Sequence, residues 1–313
     1  MPLSPNDRDA WVHLLKTDLV AFSKEQAALP TGSKIDLRDS DLTGLDLTDA
    51  SFTRCDLSGS DLSGSTAPDL GFGRARLVGT NLKGVIWTDP HLQEGARQIQ
   101  LIAEHQEAWN DYRKAVDPVD MTMADLSGLD LRDADLSKLS LSGADLAGST
   151  LSGCTLDQTR LVDANLRKAV LAGARLELTQ LGGADLSDAD LQGCSFESVG
   201  LEDAILNGAN LEGLSAETAY FARAQAVGAN FSKADLYELD ALLADFSFAR
   251  FDGARLEECE FMRTNLSSAT FKGATLIECM LIEANISNAD FRGAELEDTD
   301  LTIATNFPEA FVD

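Results

Sequence analysis

From residue 124 to residue 303 the large apolar residues fall at every fifth position, in 36 consecutive units that run ADLSG (124–128), LDLRD (129–133), ADLSK (134–138) and on to TDLTI (299–303). The central residue is Leu or Phe except at Ala216, Ala226, Ala241 and Ile286, and two residues before it most units carry Ala, Ser, Thr or Cys. No helix or ordinary strand has this period, because helices place apolar residues every 3.6 positions and strands every second one. A short repeat sustained over this length predicts a solenoid, in which each unit buries its apolar side only by stacking on its neighbours.

The motif A-(D/N)-L-x-x, as in Ala144-Asp145-Leu146, Ala164-Asn165-Leu166 and Ala209-Asn210-Leu211, resembles the pentapeptide-repeat family. The resemblance implies an all-β solenoid: a right-handed quadrilateral β-helix with four repeats per coil, the centre and the residue two before it pointing inward. Four repeats per coil would stack positions 20 apart. Phe231, Phe251, Phe271 and Phe291 have that spacing and are expected to form one interior column. Where Leu214 and Leu239 enlarge the small site, Ala216 and Ala241 shrink the large one, an exchange that conserves interior volume. Ala226 follows the equally small Ala224, so a local void or a bulging coil is expected there.

Outside the long array the pattern divides the chain further. Residues 1–33 lack the repeat and read as an amphipathic capping helix: Ser4-Pro5-Asn6-Asp7 supplies its start, and Trp11, Leu14, Leu15, Leu19 and Phe22 its apolar stripe. Repeats occupy 34–87, with Ala67 and Trp87 as unusual centres. Residues 88–118 then read as a helical insertion between Asp89-Pro90 and Asp117-Pro118, with Ile99, Ile102 and Trp109 on the side expected to pack against the solenoid. Repeats resume over 119–303, and 304–313 read as a C-terminal cap with Phe307 and Phe311 over the last coil. Counting units on both sides of the insertion predicts one continuous β-helix of about twelve coils.

Composition removes several classes of function. The chain carries 52 acidic and 25 basic residues, a net charge of −27, which argues against nucleic acid or an anionic membrane as a direct partner. No apolar run approaches the roughly 18 residues of a membrane span, and the first residues do not form a signal region, so a cytoplasmic protein is expected. Cys55, Cys154, Cys194, Cys259 and Cys279 all take the small inward site of a repeat, where Cys acts as a small hydrophobe. Only Cys259 and Cys279, 20 apart, lie within reach of a disulfide, and free thiols are expected. The histidines His13, His91 and His105 lie away from the array, with no nucleophile, zinc spacing or phosphate loop beside them. An enzyme is not expected, nor any cofactor or metal.

What remains is surface. One of the four faces carries more formal negative charge than the other three together. Asp157, Glu177, Glu197, Glu217, Glu257 and Glu297 occupy one stacked position on it, interrupted by Tyr237 and Ile277, and Glu238, Glu258, Glu278 and Asp298 run alongside. Carboxylates about 5 Å apart repel, so this face is the candidate interaction surface of a non-catalytic scaffold that binds a protein partner, basic in character, with the insertion helix as a second element. The family resemblance implies an alternative: some bacterial members imitate duplex DNA, bind DNA gyrase or topoisomerase IV and protect it from quinolone-type inhibitors. Either reading admits a monomer or a dimer formed through a solenoid end.

Overall fold

The computed structural model describes residues 3–30, 32–67 and 120–312, together with positions 75, 80, 81, 85–87 and 110. The chain forms two compact units, Met1–Leu129 and Asp130–Asp313. The expected insertion over 88–118, with its Ile99, Ile102 and Trp109, and the joining of the two arrays through it lie outside the described residues, as do the side chain of Trp87 and both His91 and His105.

In the second unit the chain winds into a right-handed solenoid whose backbone pairs with itself, in parallel, at a spacing of 20 residues. One column of bridges joins Asp130, Thr150, Val170, Asp190, Asn210, Asn230, Arg250, Thr270 and Asp290. Most five-residue units outside the sheet described below close by a turn in which the carbonyl of the centre accepts from the amide three residues on, as Leu141 does from Ala144 at 3.0 Å. The amide of the centre donates along the solenoid axis instead, as Leu131 does to Thr150 at 2.7 Å. The second residue after the centre takes a left-handed conformation to make the corner, with φ of 64° at Gly148 and 57° at Asp163. Glycine reaches that region without strain, whereas an L side chain there costs on the order of 1 kcal/mol.

Centres and small sites are buried from Leu131 through Phe291, so the interior there is a continuous column, whereas in the last coil Leu296 is 42% exposed. Phe231, Phe251, Phe271 and Phe291 stack on one wall with centroid separations of 5.0, 4.9 and 4.6 Å and planes within 11°. The coil at Ala226 neither bulges nor opens. Its amide donates to Asp245 at 2.7 Å, and Phe246, one coil on, lies 5.8 Å from Phe221 and 5.6 Å from Phe231, so three rings supply the missing volume.

Buried threonines at the inward small site are satisfied in one repeated way, whereas Ser149 donates to Leu146, three residues earlier, at 2.8 Å. The hydroxyls of Thr159, Thr179 and Thr264 donate to the carbonyls of Leu136, Leu156 and Ala241, each 23 residues earlier, at 2.7–2.8 Å. Cys154 and Cys194 use their thiols similarly, at 2.8 and 3.1 Å, and burial pushes both thiols up to about 12. All five cysteines are buried and free, Cys259 and Cys279 included. On the outside, Asn amides donate to the Asp or Asn one coil below: Asn165 to Asp145, Asn210 to Asp190, Asn230 to Asn210 and Asn265 to Asp245, at 2.9–3.0 Å. A one-residue slip would break this ladder, so it fixes the register.

The expected end at Ile303 falls short of where pairing stops. Thr305 bridges Asn285, and Phe311 bridges Asp290 across 21 residues instead of 20, the extra residue being taken up near Asn306, whose φ is 58°. Phe311 is exposed and lies beneath the Arg292 guanidinium, 5.6 Å from ring centroid to Cζ, rather than over the core.

In the first unit the expected single helix is two, α1 (Arg8–Thr17) and α2 (Leu19–Ala27). Asp18 divides them because its carboxylate accepts from the Ala21 amide at 2.9 Å and caps α2, which the continuing helix would forbid. The cap of α1 is Asp7, accepting from Ala10, rather than Ser4. The break lets Trp11 and Phe22 meet edge to face at 5.5 Å, both fully buried. The pair covers the first coil: Asp36 donates its amide to Pro5, and the Gln26 amide group donates to the carbonyls of Ser51 and Thr53. An open first edge is thereby occupied. One contact runs against the coil count. Lys34 Nζ lies 3.6 Å from Asp125 Oδ2, whereas the count separates these positions by three coils, roughly 14 Å.

Candidate protein-interaction surface

The acidic face of the second unit differs from the others in backbone as well as in charge. Here all strands but the two-residue Ser215–Ala216 lengthen to three residues, and they pair into a seven-stranded parallel sheet, from Arg175–Glu177 through Ser195–Glu197, Ser215–Ala216, Asp235–Tyr237, Arg255–Glu257 and Thr275–Ile277 to Glu295–Glu297. Its inward residues, Leu176, Phe196, Ala216, Leu236, Leu256, Leu276 and Leu296, are in register. The residue after each of them faces outward, so Glu177 pairs with Glu197, Tyr237 with Glu257, and Ile277 with Glu297.

The members of this outward row are not equivalent. Asp157, one coil before the sheet begins, is only 8% exposed; its carboxylate accepts from the Arg175 guanidinium and from the Glu177 amide at 3.2 Å. Burial is the largest influence on it and lifts its carboxyl above the usual range in spite of Arg175. Arg175 also lies 3.8 Å from Glu177, and Arg255 pairs with Glu257 and stands 4.0 Å from Asp235. These two arginines, at the outward residue before the inward one, were not singled out from the sequence, although the motif ARLE at 174–177 and 254–257 places them beside the acids. Among the described residues Glu197, Glu217, Glu278, Glu297 and Asp298 have no ion-pair partner. They are also exposed, and they are the carboxylates the face presents.

The second column, Glu238, Glu258, Glu278 and Asp298, occupies the corner after the sheet with φ between 47° and 53°. On this corner, from Gln158 through Leu178, Ser198 and Thr218 to Asp298, no residue is glycine, whereas Gly143, Gly148, Gly153 and Gly173 serve the same turn on other faces. Acidic side chains are therefore held at a site where glycine would be less strained. Two are tethered: the Tyr237 hydroxyl donates to Glu258 at 3.2 Å, and Thr218 donates to Glu238 at 3.4 Å. The Glu258 carboxylate is the chief reason the Tyr237 hydroxyl is pushed up to about 12. No group of His, Cys, Asp and Glu among the described residues is arranged to hold a metal ion, and no described helix is long and apolar enough to cross a membrane.

A four-sided, right-handed coil of five-residue turns with an acidic outer sheet defines a class of β-helical repeat proteins. The model of pentapeptide repeats matches residues 33–66, 124–161, 159–197, 204–240, 244–281 and 271–304, in eight copies, and the chain belongs to that family. Membership makes it a non-catalytic scaffold. Among solved structures it is similar to HetL, a pentapeptide repeat protein involved in heterocyst differentiation regulation from the cyanobacterium Nostoc sp. strain PCC 7120, at 23% identity over 85% of this chain and 94% of that one, with a TM-score of 0.38. It is also similar to full-length QnrB1, a plasmid-mediated fluoroquinolone resistance protein, at 19% identity over 56% of this chain and 93% of that one, TM-score 0.26. A pentapeptide repeat protein from the thylakoid lumen of Arabidopsis thaliana shares 28% identity over 38% of this chain and 70% of its own, TM-score 0.21. No curated protein matches the sequence.

Proposed function

We propose that the protein binds a basic protein surface through the outer face of its seven-stranded sheet, and that this surface is one built to hold duplex DNA, as on a type II topoisomerase. The observation that carries the reading is the row of exposed, unpaired carboxylates at Glu197, Glu217, Glu278, Glu297 and Asp298, interrupted at Tyr237 and at Glu257, which pairs with Arg255. Parallel coils advance about 4.8 Å, so the acids of the two columns between Glu197 and Asp298 fall roughly one per 3.6 Å of axis, about half the charge density of duplex DNA at one per roughly 1.7 Å. A protein groove lined by Lys and Arg to receive phosphates meets a potential of the same sign here. The family supports the choice of enzyme, since the resemblance implies members that bind gyrase or topoisomerase IV. A cytoplasmic setting follows from such a partner.

The test is a supercoiling reaction with purified DNA gyrase and the full chain, with and without a quinolone, together with displacement of a labelled duplex from the enzyme. Displacement of the duplex and altered supercoiling support the reading. If the protein neither binds gyrase or topoisomerase IV nor competes with DNA at low salt, a topoisomerase is not the partner.

A further inference from the structure

Beyond the acidic sheet, we propose that the next face of the last four coils is a docking strip for a basic amphipathic helix. On this face apolar side chains point outward. Leu243 is 52% exposed, Ile282 45%, Ile303 44% and Met280 40%, and Leu242 and Met262 are half-buried among them. Backbone pairing shows that they are contiguous: Leu243 donates to Met262 at 3.2 Å, Arg263 to Ile282 at 2.9 Å and Glu283 to Ile303 at 3.4 Å, while Asp240, Glu260 and Met280 bridge in one row. Leu243 also occupies a corner at φ 60°, a conformation that an exposed leucine gains nothing by adopting.

Charge decides what covers the strip. Along the border shared with the acidic sheet, Glu238, Asp240, Glu258 and Glu260 line a cleft of about 350 Å³ together with Thr218 and the half-exposed Tyr220. A second copy of this chain, with its net charge of −27, would bring carboxylates against carboxylates. An anionic membrane would meet the same repulsion. A helix with an apolar stripe and Lys or Arg along one edge fits both parts, its cations entering the cleft beside the Tyr220 ring. The opposite border holds Arg263 paired with Glu283 at 2.7 Å, so the basic edge is called for on one side only. Three coil steps of about 4.8 Å span roughly 14 Å, the length of about ten helical residues, enough for an i, i+3, i+7 stripe.

The probe is a labelled 14-residue Leu/Lys amphipathic peptide, compared with a scrambled peptide of the same composition and a Leu/Glu peptide of the same pattern, binding the full chain by fluorescence anisotropy. The amphipathic Leu/Lys peptide is expected to bind at least tenfold more tightly than either. The exposed pair Leu243→Ser and Ile282→Ser, checked for unchanged circular dichroism, should weaken it at least tenfold, and Asp240→Asn with Glu260→Gln severalfold. Reversing Glu197 and Glu217 to Lys should leave it within about twofold, which separates this strip from the acidic sheet. Equal binding of the scrambled peptide, or an unchanged affinity in the Leu243→Ser, Ile282→Ser variant, overturns the proposal. So does a wild-type dimer that this variant converts to a monomer, or binding of the chain to anionic vesicles.

Discussion

Phe251 and Phe271, one coil apart, lie face to face with ring centroids 4.9 Å apart and planes 5° from parallel. Parallel rings at this centroid separation fall within the range of offset-stacked aromatic pairs. Here the coil repeat sets the spacing, so each ring takes its place from the backbone and the column transmits packing from coil to coil.

Phe251→Ala is therefore expected to cost roughly 3–5 kcal/mol, the range for large core truncations, because the ring has neighbours above and below as well as Phe246 and Phe261 beside it. Ser268→Ala, at an outward corner with φ 60°, should change stability by less than about 0.5 kcal/mol. Denaturant unfolding of the two variants measures the difference, and equal losses would contradict the inward and outward assignments.

Glu278 sits at φ 52° with no ion-pair partner among the described residues. Replacing it with glycine removes the strain of a left-handed L residue, at the cost of a more flexible unfolded chain, and should raise stability by up to about 1 kcal/mol. The same change should weaken partner binding. A variant both firmer and weaker-binding is the signature of a side chain kept for function; loss of stability would show that its carboxylate supports the fold.

Asp290 titrates far below the ordinary carboxylate range, first because Arg292 hydrogen-bonds to it, with Lys272 at 3.2 Å adding to the effect. A lowered folded-state value means that the ion favours the folded state above the unfolded value of about 3.9 and that the benefit fades as pH falls below it. Asp36, held down to about 2 by Arg38, behaves in the same way in the first unit. Asp290→Asn should lower the melting temperature at pH 7 and leave a shrinking gap between pH 4 and pH 2. Asp157 has the opposite sign, since burial raises it; Asp157→Asn should not destabilise at pH 7. A gap for Asp290→Asn that is independent of pH would contradict the pairing.

Much of this was legible in the sequence because the period of five fixes which residues face inward and the period of 20 fixes which stack. The phenylalanine column, the size exchange at Ala216 and Ala241 and the acidic row all follow from those two numbers. The departures arose where side chains act on their own. Asp18 breaks a helix by capping it. Phe246 fills the space at Ala226 from the next coil, which a unit-by-unit reading of volume misses. Arg175 buries the Asp157 carboxylate against a neighbouring strand, so one member of the row lacks the exposure of the others. The strip from Leu242 to Ile303 is not legible in the sequence because outward positions vary freely in a repeat, and only their exposure in the folded chain marks them as one surface.

The acidic sheet is tested most directly by binding kinetics of the full chain on immobilised DNA gyrase at two salt concentrations. The test variant reverses Glu197 and Glu217 to Lys; the control reverses Asp163 and Asp188, two acids at corners of other faces where Lys168, Arg223 and Arg263 already sit at comparable φ. If the sheet is the binding surface, the test variant associates at least tenfold more slowly at low salt while the control matches the wild type, and the difference narrows at higher salt, as expected of charges that steer encounter. Indistinguishable association of both variants and the wild type would contradict the assignment of this face to partner binding.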